Sequence, residues 1–167
     1  MTSSGESGDS AVKVYVKEER LTVEEDMLHE FKGHRNFSKD DIPQAAIINK
    51  TQRPISRNLC GFLNTGAGGV VYCGVTDNGE VQGIHLTNYQ KDHGMISQLY
   101  VIEIEVFPWN PKSPLSVTSV TPIHPLFCNE EGLHFVRRLG GLHRPTLAEV
   151  IQLAEADTAR YHTMNKK

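Results

Sequence analysis

The sequence has few cysteines and no long hydrophobic run, and each shortage excludes a class of protein. Its three cysteines, Cys60, Cys73 and Cys128, form no closely spaced pair. This argues against a disulfide framework and for a reducing, cytoplasmic compartment. No segment approaches the roughly 18 consecutive apolar residues of a membrane-spanning helix. We therefore expect an intracellular chain without membrane insertion.

The chain also lacks an excess of basic residues. Its net charge is −3 at pH 7 and its pI is about 6.2, whereas nucleic-acid-binding proteins are often basic overall. A nucleic-acid-binding surface would therefore have to be a local basic patch, because the local field governs attraction to phosphates.

The length and the composition predict one domain with short flexible ends. The 167 residues are 38% hydrophobic, which suffices for a single core. The first segment, 1–12, is rich in serine, glycine and acidic residues and is expected to be a disordered leader. The core domain is expected at 13–161, followed by a frayed C-terminus at 162–167.

One helix and one buried strand are the most strongly patterned elements. Pro54 stands where the start of a helix tolerates proline, and Gly66 marks the end of that helix. Between them runs an apolar stripe of Ile55, Leu59, Phe62 and Leu63. The segment 70–75 is apolar on both faces and predicts a central strand. Asp77-Asn78-Gly79 follows it and predicts a two-residue hairpin turn, with positive φ at the Asn-Gly pair.

Further patterns predict a mixed sheet with helices packed on it. Residues 100–107 alternate between apolar and charged side chains, as in a half-buried strand. Thr146 and Glu149 form a capping box at the start of a C-terminal amphipathic helix. The remaining predicted elements are strands at 12–17, 27–32, 80–86, 115–121 and 133–138 and a helix at 88–99. The fold class is therefore α/β, in the α+β sense, with a mixed β-sheet.

Three ordered segments carry a resemblance to a known family. They are the strand His29-Glu30-Phe31-Lys32, the helix and turn at 55–69 (I-S-R-N-L-C-G-F-L-N-T-G-A-G-G), and the strand and hairpin at 70–79 (V-V-Y-C-G-V-T-D-N-G), closing at Gln82-Gly83-Ile84. Their order and their motifs, E-F-K, N-T-x-G-G and G-V-x-D, resemble the Schlafen core domain of the AlbA type. Small single-domain Schlafen-like proteins are the most similar members. The resemblance implies a single Schlafen-type lobe.

The resemblance also implies a catalytic site. In Schlafen endoribonucleases, two glutamates five residues apart around E-F-K and the aspartate of G-V-x-D form a metal-dependent site. The matching residues here are Glu25, Glu30 and Asp77. Carboxylate oxygens suit Mg²⁺ or Mn²⁺, and Lys32 shares a strand face with Glu30, where it could neutralise a phosphate oxygen. The implied function is a metal-dependent endoribonuclease, or a subunit of one, that acts on structured RNA or small-RNA precursors.

The chain departs from the nuclease pattern in ways that affect the expected assembly. Thr76 stands where the nucleases often have an acidic residue, and one lobe replaces the usual two. Since one lobe cannot enclose an RNA duplex, we expect a homodimer or a heterodimer with another Schlafen-like chain. The zinc-binding cysteines of the family are missing, and His124 with Cys128 lacks the second pair that a zinc site needs.

Basic side chains are candidates for binding RNA phosphates. Arg53 and Arg57 are four residues apart, so they are expected on one exposed helix face opposite the apolar stripe. The other candidates share only their positive charge: Arg35, Lys39, Lys50, Arg137, Arg138 and Arg144. Contacts of this kind would position RNA without reading its sequence.

Two alternatives to catalysis stay open. The same fold could hold RNA or a partner protein without cutting it, which the net acidity favours. An ATP-binding role would involve the glycines at 66–69. The G-K-[ST] ending of a phosphate-binding loop is missing, however, and a tight turn with close backbone packing explains these glycines better. Glu103 and Glu105 form a rival acidic face, which is expected to be solvated.

Overall fold

The computed structural model describes residues 13–86, 99–109, 124–139 and 141–164. Within them the elements are β1 His29–Lys32, a 3-10 helix Lys39–Asp41, α1 Gln44–Ile48, α2 Ile55–Thr65, β2 Gly69–Cys73, β3 Ile102–Val106, β4 Val136–Arg138, β5 Gly141–His143 and α3 Leu147–Met164. The predicted leader 1–12, most of the predicted helix 88–99, the predicted strand 115–121 and the chain end 165–167 lie outside the described residues. The expected α/β class is confirmed.

The central sheet is mixed, with the strand order β1-β2-β3. β2 lies parallel to β1, with Phe31 opposite Tyr72, and antiparallel to β3, with Val71 opposite Ile104. A parallel pair needs a long crossover, which the 3-10 helix, α1 and α2 supply. β2 is therefore the central strand that its two apolar faces predict.

α2 packs its apolar stripe on this sheet. Pro54 precedes its first residue, and Gly66 ends it in the left-handed conformation (φ 72°), as predicted. Ile55 and Phe62 are fully buried against β2, whereas Leu63, also predicted in the stripe, stays 36% exposed. Burying a large apolar side chain stabilises a fold by about 1.5–3 kcal/mol, so this stripe anchors the crossover.

A two-stranded antiparallel sheet, β4-β5, packs against α2. Leu142 of β5 lies so close to Gly61 that a Cβ there would sit 2.5 Å from Leu142 Cδ1. The buried Asn64 amide donates to the carbonyls of Phe127 (2.9 Å) and Phe135 (2.8 Å). These bonds tie α2 to the chain that leads into β4.

α3 begins with the predicted capping box. The Thr146 N–H donates to Glu149 Oε2 (2.8 Å), and the Glu149 N–H donates to Thr146 Oγ1 (3.3 Å). The helix continues through Met164, beyond the domain boundary expected at 161. Among the described residues, none of the helices has the length and apolar character to cross a membrane.

Two predicted strands do not form as expected. Residues 13–16 belong to no strand. The segment 80–86 contributes only isolated bridges within the described residues, at Glu80, Val81 and Ile84. Gly83 adopts the left-handed conformation (φ 72°), which interrupts regular pairing at this point.

The turn after β2 also differs from its prediction. The Gly79 N–H donates to the Thr76 carbonyl (2.8 Å), so Asp77 and Asn78 are the central residues of the turn. Gly79 has a positive φ of 83°, whereas Asn78 does not have a positive φ. The turn therefore presents an exposed Asp77 at its centre.

Candidate nucleic-acid site

The three predicted carboxylates lie in or beside two neighbouring strands, β1 and β2. Glu30 lies in β1. Glu25 precedes β1 and accepts a hydrogen bond from the Phe31 backbone N–H through Oε1 (2.7 Å). β1 and β2 are parallel and their last residues are paired. The turn that carries Asp77 follows β2, so parallel pairing brings it to the sheet edge where β1 ends.

Glu25, Glu30 and Asp77 line one cavity of about 640 Å³, which we call the carboxylate cavity. Basic and polar side chains contribute to its wall: Lys32, His34, Lys50, Arg53, Asn58 and Thr76. The fold thus brings all three predicted carboxylates, and the predicted Lys32, to the same place.

Glu30 is held by two cations. Lys32 Nζ lies 2.5 Å from Glu30 Oε1, and the Arg137 guanidinium donates to Glu30 Oε2. The side chain of Arg137 is 3% exposed and that of Glu30 is 13% exposed. Burial opposes ionisation of Glu30, but the charges and hydrogen bonds of Lys32 and Arg137 outweigh it and lower the pKa of Glu30. Glu30 is therefore a carboxylate that stays ionised inside the protein.

Arg137, predicted to contact RNA, is a buried structural residue. Its guanidinium also donates to the carbonyls of Asp26 and His29 and lies over the Phe62 ring, 4.9 Å from the ring centroid. These contacts engage both terminal nitrogens of the guanidinium inside the protein. Arg137 instead fixes the chain that leads into β1.

Glu25 has the opposite pKa shift. Desolvation raises the pKa of Glu25, and the negative charges of Glu30 and Asp77 act in the same direction. The Phe31 N–H and the charge of Lys32 oppose this rise without cancelling it. The cavity therefore holds a negative potential at Glu25 that a bound cation would relieve.

The donor set of the carboxylate cavity suits a hard divalent ion. Asp77 is exposed and makes no hydrogen bond or ion pair with a described residue, and Glu25 uses only Oε1. Glu30 would have to share its oxygens with Lys32 and Arg137. Within the part of the chain that the structure describes, no group of three His, Cys, Asp or Glu side chains is arranged to hold a metal ion. Binding would therefore require the carboxylates to draw closer together.

His34 and Asn58 are among the cavity residues that are missing from the sequence prediction. His34 Nδ1 accepts a hydrogen bond from the Asn36 N–H (3.2 Å), which leaves the proton of the neutral ring on Nε2. Burial and the charge of Lys32 lower the pKa of His34, so the ring is neutral at physiological pH. Asn58 is 4% exposed, and its amide has no hydrogen bond to a described residue. A polar residue on the buried side of a helix was the available signal for Asn58.

Lys50 and Arg53 are the RNA-binding candidates that line the carboxylate cavity. Both are exposed, and neither side chain forms a hydrogen bond or ion pair with a described residue. Arg53 precedes α2 and so does not share a helix face with Arg57, contrary to the prediction. Arg57 instead pairs with Glu131 (Nη2–Oε2 2.6 Å) and ties α2 to the segment before β4.

The other basic candidates do not line the carboxylate cavity. Lys39 and Arg138 each pair with a glutamate, at 3.6 Å and 2.9 Å, and their side chains are 57% and 54% exposed. Arg35 donates to the Leu86 carbonyl, and Arg144 is exposed. Exposed ion pairs are worth at most about 1 kcal/mol, so Lys39 and Arg138 can exchange a carboxylate for a phosphate.

Two rival sites from the sequence, the glycine turn and the acidic face of β3, each have a local structural role. A Cβ on Gly68 would lie 2.4 Å from the Val106 carbonyl oxygen, so the glycine turn allows close packing against β3. On the rival acidic face, Glu103 Oε1 lies 3.0 Å from Lys13 Nζ. Neither feature contributes to the lining of the carboxylate cavity.

Comparison with protein-family models matches residues 25–105 to the family described as Schlafen, AlbA_2. The matched segment begins at Glu25 and includes Glu30, Asp77, Lys50 and Arg53. The match to this family indicates a role related to nucleic acids. The resemblance seen in the sequence is confirmed over residues 25–105, the segment that matches the Schlafen, AlbA_2 family model.

Proposed function

We propose that this chain is a metal-dependent endoribonuclease, or a subunit of one, that cuts structured RNA or small-RNA precursors. One observation carries the proposal: Glu25, Glu30 and Asp77 line a single cavity together with Lys32. Carboxylates beside a cation can serve both a divalent ion and the phosphate on which it acts.

Glu25, Glu30 and Asp77 would hold Mg²⁺ or Mn²⁺. The ion would act as a Lewis acid on the scissile phosphate and lower the pKa of an attacking water. Lys32 places a positive charge beside the phosphate, and Arg137 keeps Glu30 ionised and fixed. Two carboxylates about 4 Å apart repel each other by roughly 4 kcal/mol at an effective dielectric of about 20. A cation would therefore be needed to draw the three together.

Asp77→Asn is the sharpest test of this site. Asp77 is exposed, so the variant should fold as the parent does. We expect the parent to cut an RNA hairpin in Mn²⁺, EDTA to stop the cleavage, and Asp77→Asn to remove most of it. Glu105→Gln is the matched control, because Glu105 is an exposed acid on β3 that does not line the cavity. Full cleavage by Asp77→Asn would refute the site assignment.

A non-catalytic role in holding RNA or a partner is the second candidate, and two observations favour it. Both oxygens of Glu30 are already engaged by cations, and the described residues contain no ready three-ligand group. RNA binding that weakens with salt, combined with no cleavage in Mg²⁺ or Mn²⁺, would decide for this role.

We also propose that the chain acts as a dimer, with itself or with a related Schlafen-like chain. The described residues form one lobe, which offers one side of a groove and cannot surround a duplex. Light scattering with and without RNA measures the assembly. The mass of one chain in both conditions would contradict the homodimer.

A further inference from the structure

A second cavity adjoins the carboxylate cavity, and its charged lining is entirely basic. It measures about 370 Å³, and its charged residues are Lys39, Lys50, Arg53 and Arg57. We call it the basic cavity. Lys50 and Arg53 line both cavities, so the two share a wall. In a chain with a net charge of −3, a cavity whose charged lining is all cationic is a local positive field that attracts anions.

The two cations on the shared wall are also the unpaired ones. Lys39 and Arg57 are both paired with Glu131. The side chains of Lys50 and Arg53 are exposed and have no hydrogen bond or ion pair to a described residue. Their charges are therefore available to a ligand that passes between the cavities.

Lys50 occupies a backbone conformation that does not suit its side chain. Its φ is 55°, in the left-handed region that asparagine and glycine adopt more readily than lysine. Strained backbone of this kind tends to occur at functional positions. The strain is consistent with a position where the positive charge matters more than the conformational cost.

We infer that the basic cavity binds a backbone phosphate of an RNA strand, next to the phosphate at the carboxylates. Lys50 and Arg53, which line both cavities, contact the RNA backbone where it passes from one cavity to the other. This inference rests on the proposed RNA-directed function. The carboxylate cavity is lined by three acidic and three basic side chains and so has no excess of positive charge, whereas a strand that continues into the basic cavity gains attraction from unpaired cations. The ligand is thus an oligonucleotide, because a mononucleotide has no second backbone phosphate for the basic cavity.

The salt dependence of RNA binding tests this path directly. Fluorescence anisotropy of a short labelled single-stranded RNA is measured in EDTA, so that cleavage does not interfere. Each phosphate contact contributes about 0.7 to the slope of log K against log salt for a single strand. The double variant Lys50→Gln/Arg53→Gln should therefore lower the slope by about 1.4 and the affinity by about tenfold or more. Lys17→Gln is the control: its side chain is 63% exposed and lines neither cavity.

Several outcomes would overturn the inference. They are an unchanged slope in the double variant, no RNA binding by the parent chain, and binding of AMP or inorganic phosphate as tightly as the RNA. The last result would assign the basic cavity to a free nucleotide or phosphate ion. A lowered slope without Mn²⁺-dependent cleavage supports the basic cavity and refutes the nuclease. Cleavage with an unchanged slope does the reverse.

Discussion

Removing the charge of Glu30 should destabilise the fold strongly, because its partner is buried. The Arg137 side chain is 3% exposed, so Glu30→Gln leaves a guanidinium without its counter-ion inside the protein. Breaking a buried ion pair in this way costs about 3–5 kcal/mol, a large share of the roughly 5–15 kcal/mol that stabilises a typical domain. Arg137→Met should cost less, about 2–3 kcal/mol, since Lys32 remains beside Glu30 and methionine can keep the contact with Phe62.

A double variant that removes both charges separates the contribution of the ion pair from that of side-chain packing. With the charges of Glu30 and Arg137 both removed, no buried charge is left without a partner. Glu30→Gln/Arg137→Met should therefore be more stable than the two single losses predict, by about 1–3 kcal/mol. Urea unfolding, followed by circular dichroism and by the fluorescence of Trp109, the single tryptophan, measures the free energies. Arg138→Met is the matched control, because its side chain is 54% exposed and a surface ion pair is worth about 1 kcal/mol or less.

The pH dependence provides an independent check on Glu30. The pKa of Glu30 is lowered in the folded state from an ordinary value of 4.5. The ion pairs of Glu30 therefore stabilise the fold fully above pH 4.5, and this stabilisation is lost as the pH falls through the lowered pKa. The difference in stability between the parent and Glu30→Gln should therefore narrow in acid. A difference that stays constant with pH, or a double variant that loses the full sum of both single losses, would refute the reasoning.

Three further predictions concern the glycine turn, the core amide and the raised carboxyl pKa. Gly68→Ala should cost more than about 1 kcal/mol in thermal unfolding, because Gly68 has φ 76° and an added Cβ would lie 2.4 Å from the Val106 carbonyl oxygen; unchanged stability would contradict this. Asn64→Ala should cost about 2–3 kcal/mol in urea unfolding, since this buried amide bonds two carbonyls and one N–H of the chain around β4; a loss below about 1 kcal/mol would show that these bonds are replaced. Mn²⁺ binding, measured by calorimetry, should weaken as the pH falls, starting above 4.5, because the raised pKa of Glu25 lets protons compete with the metal; Glu25→Gln should flatten this dependence, and a flat parent profile would contradict it.

The crossover helix and the central strand could be predicted because local physics determines both. Pro54 and Gly66 mark the ends of α2, and β2 is apolar on both faces. The segment 80–86 could not be predicted in the same way. Gly74 and Gly83 adopt positive φ, and a Cβ on Gly74 would lie 3.1 Å from Gly83 Cα. This close approach of two backbones is a tertiary contact that leaves no mark in the alternation of side chains.

The meeting of Glu25, Glu30 and Asp77 follows from motif spacing and parallel pairing, but the partners of the basic residues do not follow from either. The same type of basic side chain can contact RNA or form an internal ion pair, and only the burial of that side chain distinguishes the two roles. The pair Arg137-Arg138 nevertheless held a usable signal, because neighbours on a strand point to opposite faces. The two arginine side chains therefore cannot both lie on the same face of the strand. The structure turns Arg137 inward to Glu30, 107 positions away, and leaves Arg138 exposed. Adjacent arginines in a strand that packs against a helix therefore predict one buried cation in need of an acid, and here that acid is a carboxylate of the proposed site.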